Sequence, residues 1–243
     1  MNFEERKNLL AGKDQLQLLR FYNDLNDDEK LILTSQIDTI DWGFEQAFSN
    51  KDATSSTCKI EEIDALHLHQ ILPESEKYRA TGLQAIRDGK LCLLLLAGGQ
   101  GTRLGFDKPK GCFNVGLTKE LYIFQLLIEH TLEVVHAADA WIPLYIMTCD
   151  INYQDTVNFF EAHNYFGYNP SFIHFFIQEL NPATDFNGHI LLKSRYELAL
   201  SPNGNGGWFS SMHKAGLLEG IFNSNLEWIN VFAVDNVLQR IAD

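Results

Sequence analysis

The chain has 243 residues, 45% of them hydrophobic, and a formal net charge of −13. That length and apolar share suffice for one large α/β core or a core with an appendage. The acidic balance, with a sequence pI near 5.0, argues against non-specific binding to nucleic acid or to anionic membranes, so an anionic ligand has to be met by a local cluster of positive charge.

The stretch up to about Gly89 reads as helical. Leu16, Leu18, Leu19, Tyr22 and Leu25 recur near helical spacing. Asn26 followed by Glu29 has the form of a capping box for a helix carrying Leu31, Ile32, Ile37 and Ile40. The polar segment Asn50 to Thr57 reads as a loop, and Glu74 to Arg87 as another helix, ended by Gly89. The character changes at Lys90. Leu91 to Ala97 is a continuous apolar run that ends in glycines, as expected of a parallel strand buried on both faces. Leu121 to His136 then reads as a helix, Ile142 to Cys149 as a strand, Tyr153 to His163 as a helix, Phe172 to Gln178 as a strand, and Trp228 to Val234 as a last strand ending at Asp235. The expectation is a helical region over 1–88, then an α/β part over 89–243 with an open, mostly parallel sheet. Ligands of such sheets bind beyond the carboxyl ends of the strands, which points to the loops after Leu96, Cys149, Ile177 and Val234. An open sheet that stops on a probable central strand suggests the N-terminal portion of a longer protein.

Cys58, Cys92, Cys112 and Cys149 show no C-x-x-C spacing, so neither a zinc site nor a disulfide framework is signalled, and free thiols fit a cytoplasmic setting. The opening Met1 to Arg6 has no signal-peptide apolar core, and the longest apolar run falls far short of the ~20 residues of a membrane span.

The segment Leu96-Ala97-Gly98-Gly99-Gln100-Gly101-Thr102-Arg103-Leu104-Gly105 follows the strongest strand. Its glycines allow close approach of backbone N–H groups to phosphate. Arg103 adds a bidentate donor fork, and Lys108 and Lys110 follow around Pro109. A P-loop is excluded because no Gly-Lys-Ser/Thr follows, and the dinucleotide fingerprint is excluded because Leu104 stands where its last glycine belongs.

The run from Leu96 to Lys110 resembles the signature L-x-G-G-x-G-T-x-[L/M]-G…P-K of UDP-N-acetylhexosamine pyrophosphorylases, in the UDP-sugar pyrophosphorylase group. Leu18 to Leu25, Phe176 to Ala183, Ser201 to Gly207 and Val234-Asp235-Asn236 are similar to further segments of that family in the same order. The resemblance implies a Rossmann-like nucleotidyltransferase core with a mostly parallel mixed sheet, and a Mg²⁺-dependent reaction of UTP with a sugar 1-phosphate. Gly204-Asn205-Gly206-Gly207 favours N-acetylglucosamine 1-phosphate as that sugar phosphate. By the same resemblance, Leu96, Ala97, Gly98 and Gly99 bind the nucleotide with Arg103 and Lys110 as catalytic groups. Gln178 and Gly204 read the uridine, Asn205 touches the substrate, and Asp235 holds the metal. The sequence departs from the family's pattern at Glu179, where the family has glycine.

Blander readings stand beside these. Asp235 could cap a following helix, Gln178 could be an ordinary strand-end residue, and Asn203 to Gly207 could be a flexible turn. His67 and His69 read as solvated surface. Phe159, Phe160, Tyr165, Phe166, Phe172, Phe175 and Phe176 read as packing. At the level of function, the alternatives are a uridylyltransferase for another sugar 1-phosphate, a UTP-binding fragment without turnover, and a protein-interaction module built on the helical N-terminus.

Overall fold

The computed structural model describes residues 1–43, 61 and 63–242. In chain order its elements are α1 (Phe3–Gly12), α2 (Asp27–Asp38), α3 (Leu68–Ile71), α4 (Ser75–Arg87), β1 (Leu91–Leu96), α5 (Ile123–Ala138), β2 (Leu144–Thr148), α6 (Tyr153–Ala162), β3 (Ile173–Ile177), β4 (Leu180–Pro182), β5 (Leu200–Pro202), α7 (Trp208–Lys214), α8 (Leu217–Phe222) and β6 (Trp228–Ala233). The loop expected over Asn50 to Thr57, and Cys58, lie outside the described residues.

Four strands form a parallel sheet in the order β3-β2-β1-β6, with β1 running in register from Leu91↔Trp228 to Leu96↔Ala233 along β6. Burial of β1 on both faces follows from its unbroken leucine run. Leu93 and Leu95 join Phe124, Leu127 and Ile128 of α5 and Phe160 of α6 in one cluster. Cys92, Leu94 and Leu96 join Met212, Leu218 and Ile221 of α7 and α8 in another. The sheet therefore carries helices on both faces, an α/β arrangement of three layers. Each fully buried leucine of β1 contributes roughly 1.5–3 kcal/mol, so this strand anchors the loop that leaves it. The aromatic residues expected as packing fill these clusters: Phe160 is fully buried, and Phe159, Tyr165, Phe166, Phe172 and Phe175 pack around the first cluster. Phe176 lies in the second.

The chain divides into two compact units, Met1–Ile63 with Leu180–Pro202, and Asp64–Glu179 with Asn203–Asp243. This division differs from one at residue 88. Helix α4 belongs with the sheet because Ile86, 5% exposed, and Leu83 pack into the α5 face. The N-terminal unit instead takes in the segment holding the antiparallel pair β4–β5. There Leu10, Leu18, Leu25, Leu33, Ile37 and Ile40 form a core with Ile190 and Leu198. Gln15, buried, donates from Nε2 to Gly188 O at 2.9 Å and accepts at Oε1 from Ile190 N at 2.8 Å.

Two helical expectations for this unit need correction. Leu16 to Leu25 is not one helix but two short 3₁₀ turns, Leu16–Leu19 and Tyr22–Asp24. In α2 the capping box forms as expected, with Glu29 N to Asn26 Oδ1 and Asn26 N to Glu29 Oε2 both at 2.9 Å. However, Leu33 and Ile37, one helical turn apart, supply the buried face, while Leu31 is 68% and Ile32 40% exposed.

Candidate functional site

The site is built where β1 ends. Ala97 N still donates to Met147 O in sheet fashion at 2.7 Å, and Leu96 O accepts from Val234 N at 3.1 Å. Leu96 and Ala97 are thus core residues whose side chains are buried, and only their backbone is available to a ligand. Beyond them the chain leaves the sheet. Among the described residues no protein group accepts a hydrogen bond from the N–H of Gly98 or Gly99. The loop is nonetheless held in shape. Gly101 N donates to Lys108 O at 3.0 Å, and Lys110 N donates to Gly99 O at 3.1 Å. At Gly101 any Cβ would stand 2.8 Å from Phe106 O, so glycine is the residue that permits this fold-back. The amides of Gly98 and Gly99 are therefore carried on a loop of fixed shape and have no protein acceptor among the described residues.

Side chains flank these amides on both sides. Lys110, on the 3₁₀ turn Lys110–Cys112, has its Cε 4.0 Å from where a Cβ on Gly99 would be. Its Nζ bonds Asp235 Oδ1 at 2.5 Å, the lysine side chain being 21% and the aspartate 68% exposed. Asp235 lies two residues past the end of β6. No helix follows it among the described residues, which removes the capping alternative. On the other flank Gln178, at the end of β3, is 6% exposed and donates from its backbone N to Thr148 O at 2.7 Å. Its Oε1 stands 2.9 Å from where a Cβ on Gly98 would lie, so the absence of a side chain at Gly98 makes room for this amide. Gln178 Nε2 donates to Gly204 O at 2.8 Å and to Asn203 Oδ1 at 3.1 Å.

The residues singled out from the sequence thus fall into place unequally. Gly98, Gly99, Lys110, Asp235, Gln178 and Gly204 come together in one unit. Arg103 sits on the exposed 3₁₀ turn Thr102–Leu104, and its guanidinium has no partner among the described residues. Asn205 is exposed at the start of the turn that leads into α7. The added charge of Glu179 is met by Lys214 Nζ at 3.2 Å, while its backbone N is held by Ser211 Oγ at 2.9 Å. His67 and His69 are exposed, and no group of three or more potential metal-ligating side chains occurs among the described residues. Burial pushes the thiols of Cys92 and Cys112 up to about 11 and about 12, so neither is a thiolate nucleophile at neutral pH.

Sequence reading missed the residues that brace the site. Asn152, fully buried, accepts from Cys149 N at 2.8 Å and donates to Ala97 O at 3.3 Å, tying the end of β2 to the exit of β1. Thr148 Oγ1 donates to Phe176 O at 2.9 Å. The Asn152–Ala97 and Thr148–Phe176 bonds join positions tens of residues apart and leave no spacing signature.

A family model described as UTP–glucose-1-phosphate uridylyltransferase (UDPGP) matches residues 42–243, which takes in the whole of the unit that carries the site. The chain belongs to the UDPGP family. This UDPGP-family chain is 37% identical over 207 residues to the UDP-N-acetylglucosamine pyrophosphorylase of Saccharomyces cerevisiae, an alignment covering 82% of this chain and 43% of the yeast protein. It is 32% identical over 251 residues to UDP-N-acetylglucosamine diphosphorylase 1 of Arabidopsis thaliana, covering 96% and 50%. The crystal structure of the uridine diphosphate N-acetylglucosamine pyrophosphorylase from Trypanosoma brucei in complex with inhibitor matches with a TM-score of 0.77 at 28% identity, covering 100% of this chain and 54% of that one. The chain thus spans about half the length of these relatives.

Proposed function

We propose that this chain carries the nucleotide-binding part of a uridylyltransferase that converts UTP and N-acetylglucosamine 1-phosphate into UDP-N-acetylglucosamine and pyrophosphate. The observation that carries the reading is the pair of uncommitted glycine amides, Gly98 and Gly99, held beside Lys110 at the exit of the central strand. Family membership supports a uridylyl transfer. The N-acetylated sugar is supported by the names of relatives at 32–37% identity.

In this reaction a phosphate oxygen of the sugar 1-phosphate forms a bond to the α-phosphorus of UTP, and the bond from that phosphorus to the pyrophosphate oxygen breaks. Such chemistry asks the protein for positioning and charge stabilisation rather than a covalent nucleophile. The Gly98 and Gly99 amides and the exposed fork of Arg103 would hold the β- and γ-phosphates and stabilise the leaving pyrophosphate. Lys110, free to exchange Asp235 for phosphate oxygen, would neutralise charge at the α-phosphate. Gln178 would accept from the uracil edge, and Asn205 would face the sugar phosphate. Asp235 fits as the protein ligand of Mg²⁺. It is a hard oxygen donor with an exposed carboxylate, and such sites use one or two carboxylates with phosphates completing the shell. The chemistry a bound Mg²⁺ would supply there is neutralisation of phosphate charge. The buried free thiols of Cys92, Cys112 and Cys149 support a reducing, cytoplasmic setting. No helix among the described residues is long and apolar enough to cross a membrane.

The test is to follow pyrophosphate release from UTP, N-acetylglucosamine 1-phosphate and Mg²⁺, with UTP binding measured by calorimetry on the same preparation. Turnover is the expected outcome. Binding without turnover would reduce the chain to a nucleotide-binding part alone, and the absence of UTP binding would overturn the reading.

A further inference from the structure

The side-chain amide of Gln178 has two chemically opposite ends, an acceptor oxygen and a donor nitrogen. The two pyrimidine bases differ in the same sense. Uracil presents a donor at N3–H, whereas cytosine presents an acceptor at N3. A glutamine free to turn over could serve either base, so the residue type alone does not choose between UTP and CTP.

Gln178 is not free to turn over. Its Nε2 donates to Gly204 O at 2.8 Å, and a backbone carbonyl can only accept, so the atom on that side has to be the nitrogen. The second N–H of Nε2 goes to Asn203 Oδ1 at 3.1 Å. Asn203 is oriented in its turn. Its Nδ2 lies 3.5 Å from Ser210 Oγ, and that hydroxyl donates to Gly207 O at 3.0 Å. Asn203 also packs directly against the Cα of Gly207, where a Cβ would overlap its amide. The donors thus run in one direction, from Gln178 to Asn203 to Ser210 to Gly207, and end on a carbonyl that cannot reverse them. Both protons of Nε2 are engaged by protein. The Oε1 is left over Gly98, in the cradle at the exit of β1.

We infer that Asn203 is a positioning residue for nucleobase selectivity: as a second acceptor for the nitrogen of Gln178 beside Gly204 O, it strengthens the orientation that presents an acceptor to the base and so favours the N3–H of uracil over the N3 of cytosine. This inference rests on the nucleotide reading of the site given above. Removing the acceptor at position 203 leaves Nε2 held by Gly204 O alone, so the turned amide that cytosine needs loses one of its two opponents and is populated more often.

The experiment measures the dissociation constants of UTP and CTP by calorimetry for the unaltered chain, for Asn203→Ala and for the isosteric Asn203→Asp. The aspartate keeps an acceptor for Nε2 whatever its charge does to absolute affinity, so the ratio of the two constants is the readout. A hydrogen-bonding mismatch at a base edge is worth on the order of tenfold. In N203A the preference for UTP is expected to fall by about that factor, while N203D keeps the unaltered ratio. A merely structural role would weaken both nucleotides together and leave the ratio unmoved. UTP binding with an unchanged ratio in N203A, or a ratio in N203D as low as that of N203A, overturns the inference alone. Absence of UTP binding by the unaltered chain overturns the reading of the site, and this inference with it.

Discussion

Among the residues of the site, Lys110 and Arg103 are held very differently. Lys110 is three-quarters covered and paired to Asp235, so its charge is fixed in place before a ligand arrives. Arg103 is exposed on a short turn and would order only on binding, at some cost in side-chain entropy. A guanidinium fork on phosphate still outweighs that cost, since hydrogen bonds between charged groups are worth about 1.5–3 kcal/mol. Arg103→Ala is therefore expected to weaken UTP binding by roughly ten- to a hundredfold without lowering the melting temperature, as read by calorimetry and thermal unfolding on the same sample. Unchanged affinity would remove Arg103 from the site. The sequence showed the glycines, the cations and the strand-end glutamine, because composition and order reveal them. The loop holding Asn203 was picked out too, but its bond to Gln178, and the parts of Asn152 and Ser211, were not legible there. Each acts through a bond to a backbone group or amide that only the fold brings near.

At the scale of elements, β1 was legible because seven successive apolar residues, Leu91 to Ala97, ending at glycine fit few structures other than a doubly covered strand. Leu16 to Leu25 misled because apolar spacing near 3–4 residues is shared by helices and by successive 3₁₀ turns. The turn Asp185 to His189 in the N-terminal unit could not be read at all. There Asp185 Oδ1 accepts from the backbone N of Asn187 and His189 at 2.8 and 2.9 Å. The His189 ring lies between Asp14 Oδ2 at 3.4 Å and Asp185 Oδ2 at 3.3 Å. Asp14 and then Asp185 raise His189 above the ordinary histidine value, against a small opposing effect of burial. A histidine raised on folding adds stability that is full below its unfolded value and is lost as the pH rises through its folded value. Thermal unfolding from roughly pH 5.5 to roughly pH 8.5 is therefore expected to show a melting temperature for the unaltered chain that falls relative to that of His189→Gln. Parallel curves would show that the ring contributes nothing through its charge.

Across the whole molecule, the order β3-β2-β1-β6 makes β1 the strand at which the winding reverses: the chain steps outward through β2 and β3, then returns to place β6 on the other side. Open α/β sheets bind ligands at that reversal, beyond the carboxyl ends of the strands. Here it is where Lys110 after β1 meets Asp235 after β6. At a net charge of −13, the proposed polyphosphate would have to be met by this local arrangement of backbone amides with Lys110 and Arg103. The most direct measurement is a titration with UTP followed by the backbone amide NMR signals of the glycines. The expected result is large, saturable shifts of Gly98 and Gly99, with Gly188 in the N-terminal unit unmoved. UTP that binds while the Gly98 and Gly99 signals stay where they were would contradict the claim that these amides hold its phosphates.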